Sequence, residues 1–334
     1  MRQKIESQRL DKGLGFDIIS IGDCVVDLIM KIQRLPINKE SVIQAEDVRM
    51  QCGGACNFLI MASRLGLKVG AIDRVGDDYY GEFIIATLKD ENIDVSHIHV
   101  AKGENSTSVI VIVDTKGNHA FIGVLGASMR LTPYDIDPDY IKNTKFVYIT
   151  GYTMISQSAL NAINKAIRLA KELHIPIIFD PSPELKNIPK NALEKTISSS
   201  KIVLMNENEA KILTRKKSLT EASKKILHKG CEIVTIKLGA KGCLVCTEDK
   251  LEIIPSFKVK LVDTTGAGDS FNAAFVFALM KNLSIKDAAI FANAIGAIKV
   301  QKLGAGKNVP EKQEIINFLI KHKLRKFLKL IKPS

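Results

Sequence analysis

The sequence predicts an α/β protein: a doubly wound, mostly parallel sheet flanked by helices, with a small β-sheet lid. Two observations predict it. Short β-branched runs ending at Gly, Asp or Asn alternate with stretches of helical period, and two strand-rich segments interrupt that rhythm. In order, Phe16 to Gly22, Val69 to Gly76, Phe146 to Gly151, Ile175 to Asp180, Ile202 to Asn206 and Glu232 to Gly239 read as parallel core strands covered on both faces. Ala55 to Leu65, Ser156 to Leu173, Leu219 to His228 and Ser284 to Gln301 read as the covering helices.

The interruptions are Leu28 to Cys52 and Glu104 to Gly126, each strand-rich with no helical pattern. Within the second, Thr107 to Asp114 and His119 to Leu125 flank Lys116-Gly117-Asn118, a hairpin turn. Val109 to Val113 is apolar on both pleat faces, so part of this hairpin should be covered from both sides. The two segments read as a lid that also supplies a homodimer surface. No Gly/Ser or Pro linker divides the chain and no solenoid repeat appears, so the lid is an insertion. The expected organisation is one domain over 16–330 with lid insertions at 28–52 and 104–126, a leader 1–15 and a tail 331–334.

Composition narrows the class. Of 334 residues, 46% are hydrophobic and 25% charged, enough apolar surface to exclude a disordered chain. The formal charge of +12 suits anionic partners, but no nucleic-acid-binding module accompanies it. The longest apolar run, Ala273 to Met280, falls well short of the roughly twenty residues that span a membrane. Met1 to Gly15 carries Glu6 and Asp11 and no apolar block, unlike a secretory signal. Six cysteines are too sparse for a disulfide scaffold, which fits the reducing cytoplasm.

The chemistry concentrates at Asp263-Thr264-Thr265-Gly266-Ala267-Gly268-Asp269-Ser270-Phe271, followed by the apolar helical run Asn272 to Met280. A glycine-rich turn opening a helix leaves backbone N–H groups free and points the positive end of the helix dipole at one spot, which suits phosphate. A carboxylate among such amides repels phosphate unless it has its own task, and accepting a proton from a hydroxyl that attacks the phosphate is such a task. A bare Gly-x-Gly-Asp also fits a turn with Asp as helix cap.

The nine-residue string resembles the C-terminal signature of the ribokinase (PfkB) family of carbohydrate kinases, Asp-Thr-x-Gly-Ala-Gly-Asp, at every fixed position. The resemblance implies a ribokinase-like fold with Asp269 as catalytic base and Gly266, Ala267 and Gly268 as the anion hole. It places Thr264 beside the nucleotide, and Asp263 and Thr265 at a monovalent-cation site, K⁺ being the natural occupant. At the other end, Gly53-Gly54-Ala55-Cys56-Asn57 and Arg74-Val75-Gly76-Asp77-Asp78-Tyr79-Tyr80-Gly81 look like the family's N-terminal signature. There the paired glycines let the backbone approach a sugar, and Asn57 offers a donor and an acceptor. Alone, the same residues fit a helix-entry turn. In Gly22-Asp23-Cys24-Val25-Val26-Asp27, read as the end of the first strand, the family places a sugar-binding carboxylate at Asp27, while Asp23 fits a turn cap.

Asn206-Glu207-Asn208-Glu209 matches the family's Asn-x-x-Glu element, through which Glu209 helps hold Mg²⁺ and its waters, although four polar residues at a strand end also fit a helix start. Lys237-Leu238-Gly239-Ala240-Lys241-Gly242 is similar to the nucleotide-side strand and turn, with Lys237, Gly239 and Gly242 facing the nucleotide. Asn293 and Gly304-Ala305-Gly306 look like the segments bordering the adenine and the cation. The match runs from about Phe16 to Phe318 in motif order. It implies in-line phosphoryl transfer from ATP with Mg²⁺ to a hydroxyl of a small sugar or sugar acid.

Rival readings turn on the lid. A nucleoside kinase needs an apolar slot for the base, for which Met50, Ile112 or Phe121 are candidates. A sugar-phosphate kinase needs a second basic cluster, with Lys31, Arg49 and Arg130 as candidates. A catalytically dead sugar sensor should lose Asp269 or the glycines, all of which are present. A dinucleotide-dependent dehydrogenase needs Gly-x-Gly-x-x-Gly after the first strand, which Ile21-Gly22-Asp23-Cys24 does not provide. Cys243 and Cys246 have zinc-like spacing, but residues three apart on a strand point to opposite faces. Cys52 and Cys56 read as packing thiols. Lys321 to Ser334 is basic, with Leu324, Phe327, Leu328 and Ile331 at helical spacing, and reads as an amphipathic helix packed on the core.

Overall fold

The computed structural model describes residues 15–39, 41–115 and 119–331. The hairpin turn 116–118, the leader up to residue 14 and the tail from residue 332 lie outside them. Thirteen strands form two sheets among the described residues. The larger contains β1 (Phe16–Ile21), β4 (Val69–Gly76), β5 (Asp94–Ala101), β8 (Thr144–Thr150), β9 (Ile177–Asp180), β10 (Ile202–Asn206), β11 (Ile233–Lys237), β12 (Cys243–Cys246) and β13 (Leu251–Ile254). Its order is β13-β12-β11-β10-β9-β8-β1-β4-β5, parallel from β5 to β11 and antiparallel at β12 and β13. All six predicted core strands are present in the parallel part. Strand β5, absent from the predicted series, is an edge strand whose polar Ser96, His97 and His99 interrupt its apolar run.

Successive residues feed opposite layers, as pleating requires. Ile18 enters one core cluster and Ile19 the other. The first layer holds α1 (Ala55–Arg64), α8 (Ala267–Met280) and α9 (Ile285–Lys299); the second is dominated by α4 (Gln157–Glu172). Cys243 and Cys246 fall in different clusters, as their spacing on a strand dictates. All six cysteines are free and buried.

The smaller sheet has the order β3-β2-β6-β7, from β2 (Cys24–Ile32), β3 (Asp47–Gly54), β6 (Ser108–Asp114) and β7 (His119–Val124). The first strand stops at Ile21. Gly22 and Asp23 turn the chain with φ of 77° and 68°, and Asp27 sits inside β2 rather than at the end of β1. Register assigns the two faces. Asp27, Gln51 and Val109 share one face with Ile29, Val111 and Phe121; Leu28, Met50 and Ile110 share the other with Met30, Ile112 and Ile122. Val111 and Ile112 are both buried, so β6 is covered from both sides there. Val48, Ile122 and Val124, on the face away from Asp27, are at least half exposed.

The basic C-terminal stretch is not one helix. The helix α10 (Lys312–Lys321) ends, Lys323 adopts a left-handed φ of 58°, and only single turns follow at Arg325–Phe327 and Leu328–Ile331. Phe327 and Ile331 are nonetheless buried in the core that holds α8 and α9.

Candidate active site

The nine-residue string folds as a loop entering α8. Gly266 is its N-cap with a left-handed φ of 72°, and a Cβ there would press on Ala305. The Ala267 N–H turns back to the Thr264 carbonyl (3.1 Å), so of the three residues that the resemblance reads as an anion hole it is the one with its donor already engaged. Thr264 is exposed. Asp269 lies in the first turn of α8, where Asn57 Nδ2 of α1 donates to its Oδ2 at 3.1 Å. The Asn57 Oδ1 accepts the Gly306 N–H at 2.7 Å, which commits this amide to joining three segments. Burial, and next the charge of Asp180, push Asp269 up to about 6, against the opposing pull of Lys237 and Asn57.

Asp27 approaches from the small sheet. A Cβ on Gly53 would overlap the Asp27 carboxylate, and one on Gly54 (φ 57°) would overlap the Asp23 carbonyl. The paired glycines therefore admit two acids of this chain. Burial, then the charge of Asp269, raises Asp27 to about 7. Asp23 is held well above the usual range by burial and then by Asp73. Asp73 accepts N–H bonds from Cys24 (2.6 Å) and Arg74 (2.7 Å), with burial raising it to about 6. The Asp78 part of the N-terminal signature is structural: Asp78 Oδ1 accepts from the Gly81 N–H (2.8 Å) and Oδ2 from the Ser106 N–H (2.8 Å).

Among the residues that the resemblance assigns to the nucleotide, Asn206 caps α6 (Glu207–Thr214), so the Asn-x-x-Glu element is a capping box. Asn206 Oδ1 accepts the Glu209 N–H (2.9 Å), while the Glu209 carboxylate accepts the Asn206 N–H (2.7 Å) and Nδ2 (2.6 Å). Burial, then Asp180, raises Glu209 to about 7. Lys237 donates to Asp180 (3.2 Å) and Asn272 (3.1 Å), and Asn272 donates to Asp180 (2.5 Å). Burial opposes the Lys237 charge, yet Asp180, Glu209 and Asp269 hold the ammonium above its ordinary range. Asp180 and Glu209 could offer a divalent cation two carboxylates, the rest of its shell being left to waters and phosphates, since no cluster of three metal-binding side chains occurs among the described residues. Gly239 (φ 58°) and Gly242 (φ 100°) shape the following turn, and Asn293 Nδ2 spends its donors on the Ile254 and Pro255 carbonyls (3.1 and 3.2 Å).

Asp180 and Asn272 were not among the sequence candidates. Asp180 carried a usable signal, because it ends a parallel strand at the edge where open α/β sheets bind ligands. Asn272, on an apolar helix, carried none.

Asp263 gathers the remaining loop. Its Oδ1 accepts the Thr265 N–H (2.9 Å) and Oγ1 (2.8 Å), and its Oδ2 accepts the Gly304 N–H (2.7 Å). Burial works against it, but these donors and the Lys299 charge keep Asp263 below the usual carboxylate range. Lys299 is itself fully buried and donates to the Lys302 carbonyl at 3.1 Å. A charge of the chain thus acts where the resemblance implies a monovalent cation, and these residues fit a second, free cation poorly.

The lid candidates separate. Met50 and Ile112 lie on the face away from Asp27, whereas Phe121 shares its face. Lys31, Arg49 and Arg130 are paired with Glu46 (2.6 Å), Asp47 (2.5 Å) and Glu104 (2.9 Å).

A ribokinase-like sheet with a small separate sheet, and a carboxylate set in a glycine-rich helix entry, define a phosphotransferase that uses an alcohol group as acceptor. Residues 16–312 match the pfkB family of carbohydrate kinases, and the chain belongs to that family as a sugar kinase. It is 30% identical over 309 residues to a ribokinase of Mus musculus, covering 89% of this chain and 93% of that one. It is 31% identical over 333 residues to a 5-dehydro-2-deoxygluconokinase of Clostridium beijerinckii, covering 96% and 97%. An Escherichia coli protein provisionally named ribokinase II, solved with ATP and Mg²⁺, superimposes with a TM-score of 0.82 at 25% identity, covering 92% of this chain and all of that one. No helix among the described residues is long and apolar enough to cross a membrane.

Proposed function

We propose that the protein transfers the γ-phosphoryl group of ATP to a hydroxyl of a small sugar or sugar acid, with Asp269 as the base. The observation that carries this reading is the electrostatic link between two carboxylates carried by different elements, Asp27 of the small sheet and Asp269 of the first turn of α8. Asp27 accepts hydrogen bonds from acceptor hydroxyls and so orients one of them towards Asp269. Asp269 takes that hydroxyl's proton as its oxygen bonds to the γ-phosphorus; the bond to the β,γ-bridging oxygen breaks, ADP leaves, and the proton passes to solvent. Amides at Gly266 and Gly268 stabilise the charge of the transferring group, a contribution of about 3 kcal/mol per donor. Glu209 and Asp180 are the residues to hold Mg²⁺ through water, which when bound neutralises phosphate charge.

The small sheet acts as a lid that excludes water. Its exposed apolar face, with Val48, Ile122 and Val124, supports a homodimer formed through the lid. The basic lid residues are already paired with acids, which favours an acceptor without phosphate. Six free cysteines accord with a cytoplasmic setting.

The test is ATP consumption with Mg²⁺ against free sugars, keto-deoxy acids, nucleosides and sugar phosphates, with Asp269→Asn as the blank. One strong acceptor among the free sugars or acids, abolished by Asp269→Asn, is the expected result. A variant retaining turnover within about tenfold of the parent, roughly 1.4 kcal/mol, would overturn the assignment of the base.

A further inference from the structure

We propose that the Lys299 ammonium takes the place of the monovalent cation in this kinase, so that its transfer needs no free K⁺. The inference rests on the kinase reading above and concerns the same site.

Lys299 ends α9, and its side chain ranks among the largest that are wholly buried. Removing an ammonium from water is expensive unless oxygen ligands and opposite charge replace the lost hydration. Both are at hand. The Lys302 carbonyl accepts from Nζ at 3.1 Å, and the carboxylates of Asp263 and Asp269 supply the countercharge. The C-terminal end of α9 adds the negative pole of its dipole. Burial pulls Lys299 below its ordinary range, and the charges of Asp263 and Asp269 pull the other way.

Its position explains the expense. The Val262 and Asp263 N–H groups bond to the Val300 carbonyl (2.7 and 3.2 Å), and Asp263 in turn holds Thr265 and Gly304. The end of α9, the loop into α8 and the 304–306 turn therefore meet around one buried positive charge, whose field reaches Asp263 and Asp269. An ammonium and K⁺ have nearly the same radius and both take oxygen ligands, so either could fix these loops. The other lysine nearby, Lys302, is engaged with Glu314 (2.8 Å) and the Val309 carbonyl (3.4 Å).

The test compares turnover in a buffer whose only cations are Mg²⁺ and tetramethylammonium with turnover in saturating KCl, and measures Tl⁺ binding by anomalous scattering from soaked crystals. The parent should lose less than about twofold without K⁺ and hold no Tl⁺ beside Asp263. Lys299→Met, which keeps the length of the side chain, should lose at least about tenfold without K⁺, recover with KCl or NH₄Cl, and bind one Tl⁺ there. Activation of the parent by K⁺ of about fivefold or more, or Tl⁺ bound beside Asp263 in the parent, would overturn the proposal. Both parent measurements stand even where Lys299→Met fails to fold. Should no acceptor be phosphorylated under any condition, the kinase reading fails, while Tl⁺ binding to the parent still decides the role of Lys299.

Discussion

Asn57 Nδ2 donates to Asp269 Oδ2 at 3.1 Å across 212 residues of sequence, and the Asn57 Oδ1 is held by the Gly306 N–H at 2.7 Å. One buried amide thus fixes the orientation of the carboxylate read as the base. Replacing it by an apolar residue of similar size removes a hydrogen bond that favours the ionised form. Asn57→Leu should therefore move the acidic limb of the kcat/KM profile to higher pH as well as lower its plateau. A plateau that falls with the limb unmoved would show that Asn57 acts only through packing.

The pH profile of the parent follows from the same carboxylate. Asp269 must be ionised to accept a proton, and burial followed by the Asp180 charge raises it to about 6. With saturating acceptor, transfer should fall about tenfold per pH unit below that point. Asp180→Asn removes a negative neighbour and releases Lys237 from its partner, and both changes favour ionised Asp269. Its acidic limb should shift to lower pH, and a shift in the other direction would contradict the electrostatic account.

What the sequence made legible was local. Gly266, Gly53 and Gly54 announce close approach by residue type and spacing, although the groups that come close, Ala305, Asp27 and Asp23, are distant in sequence, and Asp269 is informative through the amides beside it. Asp180, Asn272 and Lys299 were missed because their roles arise from packing. Asp180 meets Asn272 across 92 residues, and Lys237 meets Asp180 across 57. Lys299 reads as an ordinary basic residue at a helix C-terminus, and only the packing of α9 turns it inward. The edge strands β5 and β13 were faint for a related reason, since a strand covered on one side lacks the continuous apolar run by which its central neighbours are found.

Gly53 offers a steric test of the acceptor side. A methyl group there would meet the Asp27 carboxylate, while the backbone of Gly53 itself needs no left-handed conformation. Gly53→Ala should fold and displace Asp27, raising KM for the acceptor at least about tenfold while leaving KM for ATP within about twofold, as loss of acceptor positioning alone requires. Equal effects on both substrates would mean that the change spreads beyond Asp27.

The same buried acids should shape the stability of the ligand-free protein. Asp27 and Glu209 are raised to about 7, and Asp73 and Asp269 to about 6, from ordinary values of 3.8 for Asp and 4.5 for Glu. Between the ordinary and the raised values the folded chain binds more protons than the unfolded one, so stability falls as pH rises through that window. Carboxylates held low by their partners, such as Asp263, Asp94 and Glu314, give the opposite slope, but only below their ordinary values. Calorimetry without ligands should therefore give a lower Tm at pH 8 than at pH 5.5. Asp27→Asn removes one of the groups that titrate in this window, so it should raise the Tm at pH 8 more than at pH 5.5. An acceptor whose hydroxyls donate to Asp27 stabilises its ionised form, so saturation with that acceptor should shrink the same difference in the parent. If the Tm of the ligand-free parent instead rises from pH 5.5 to 8, these acids are not destabilising when ionised.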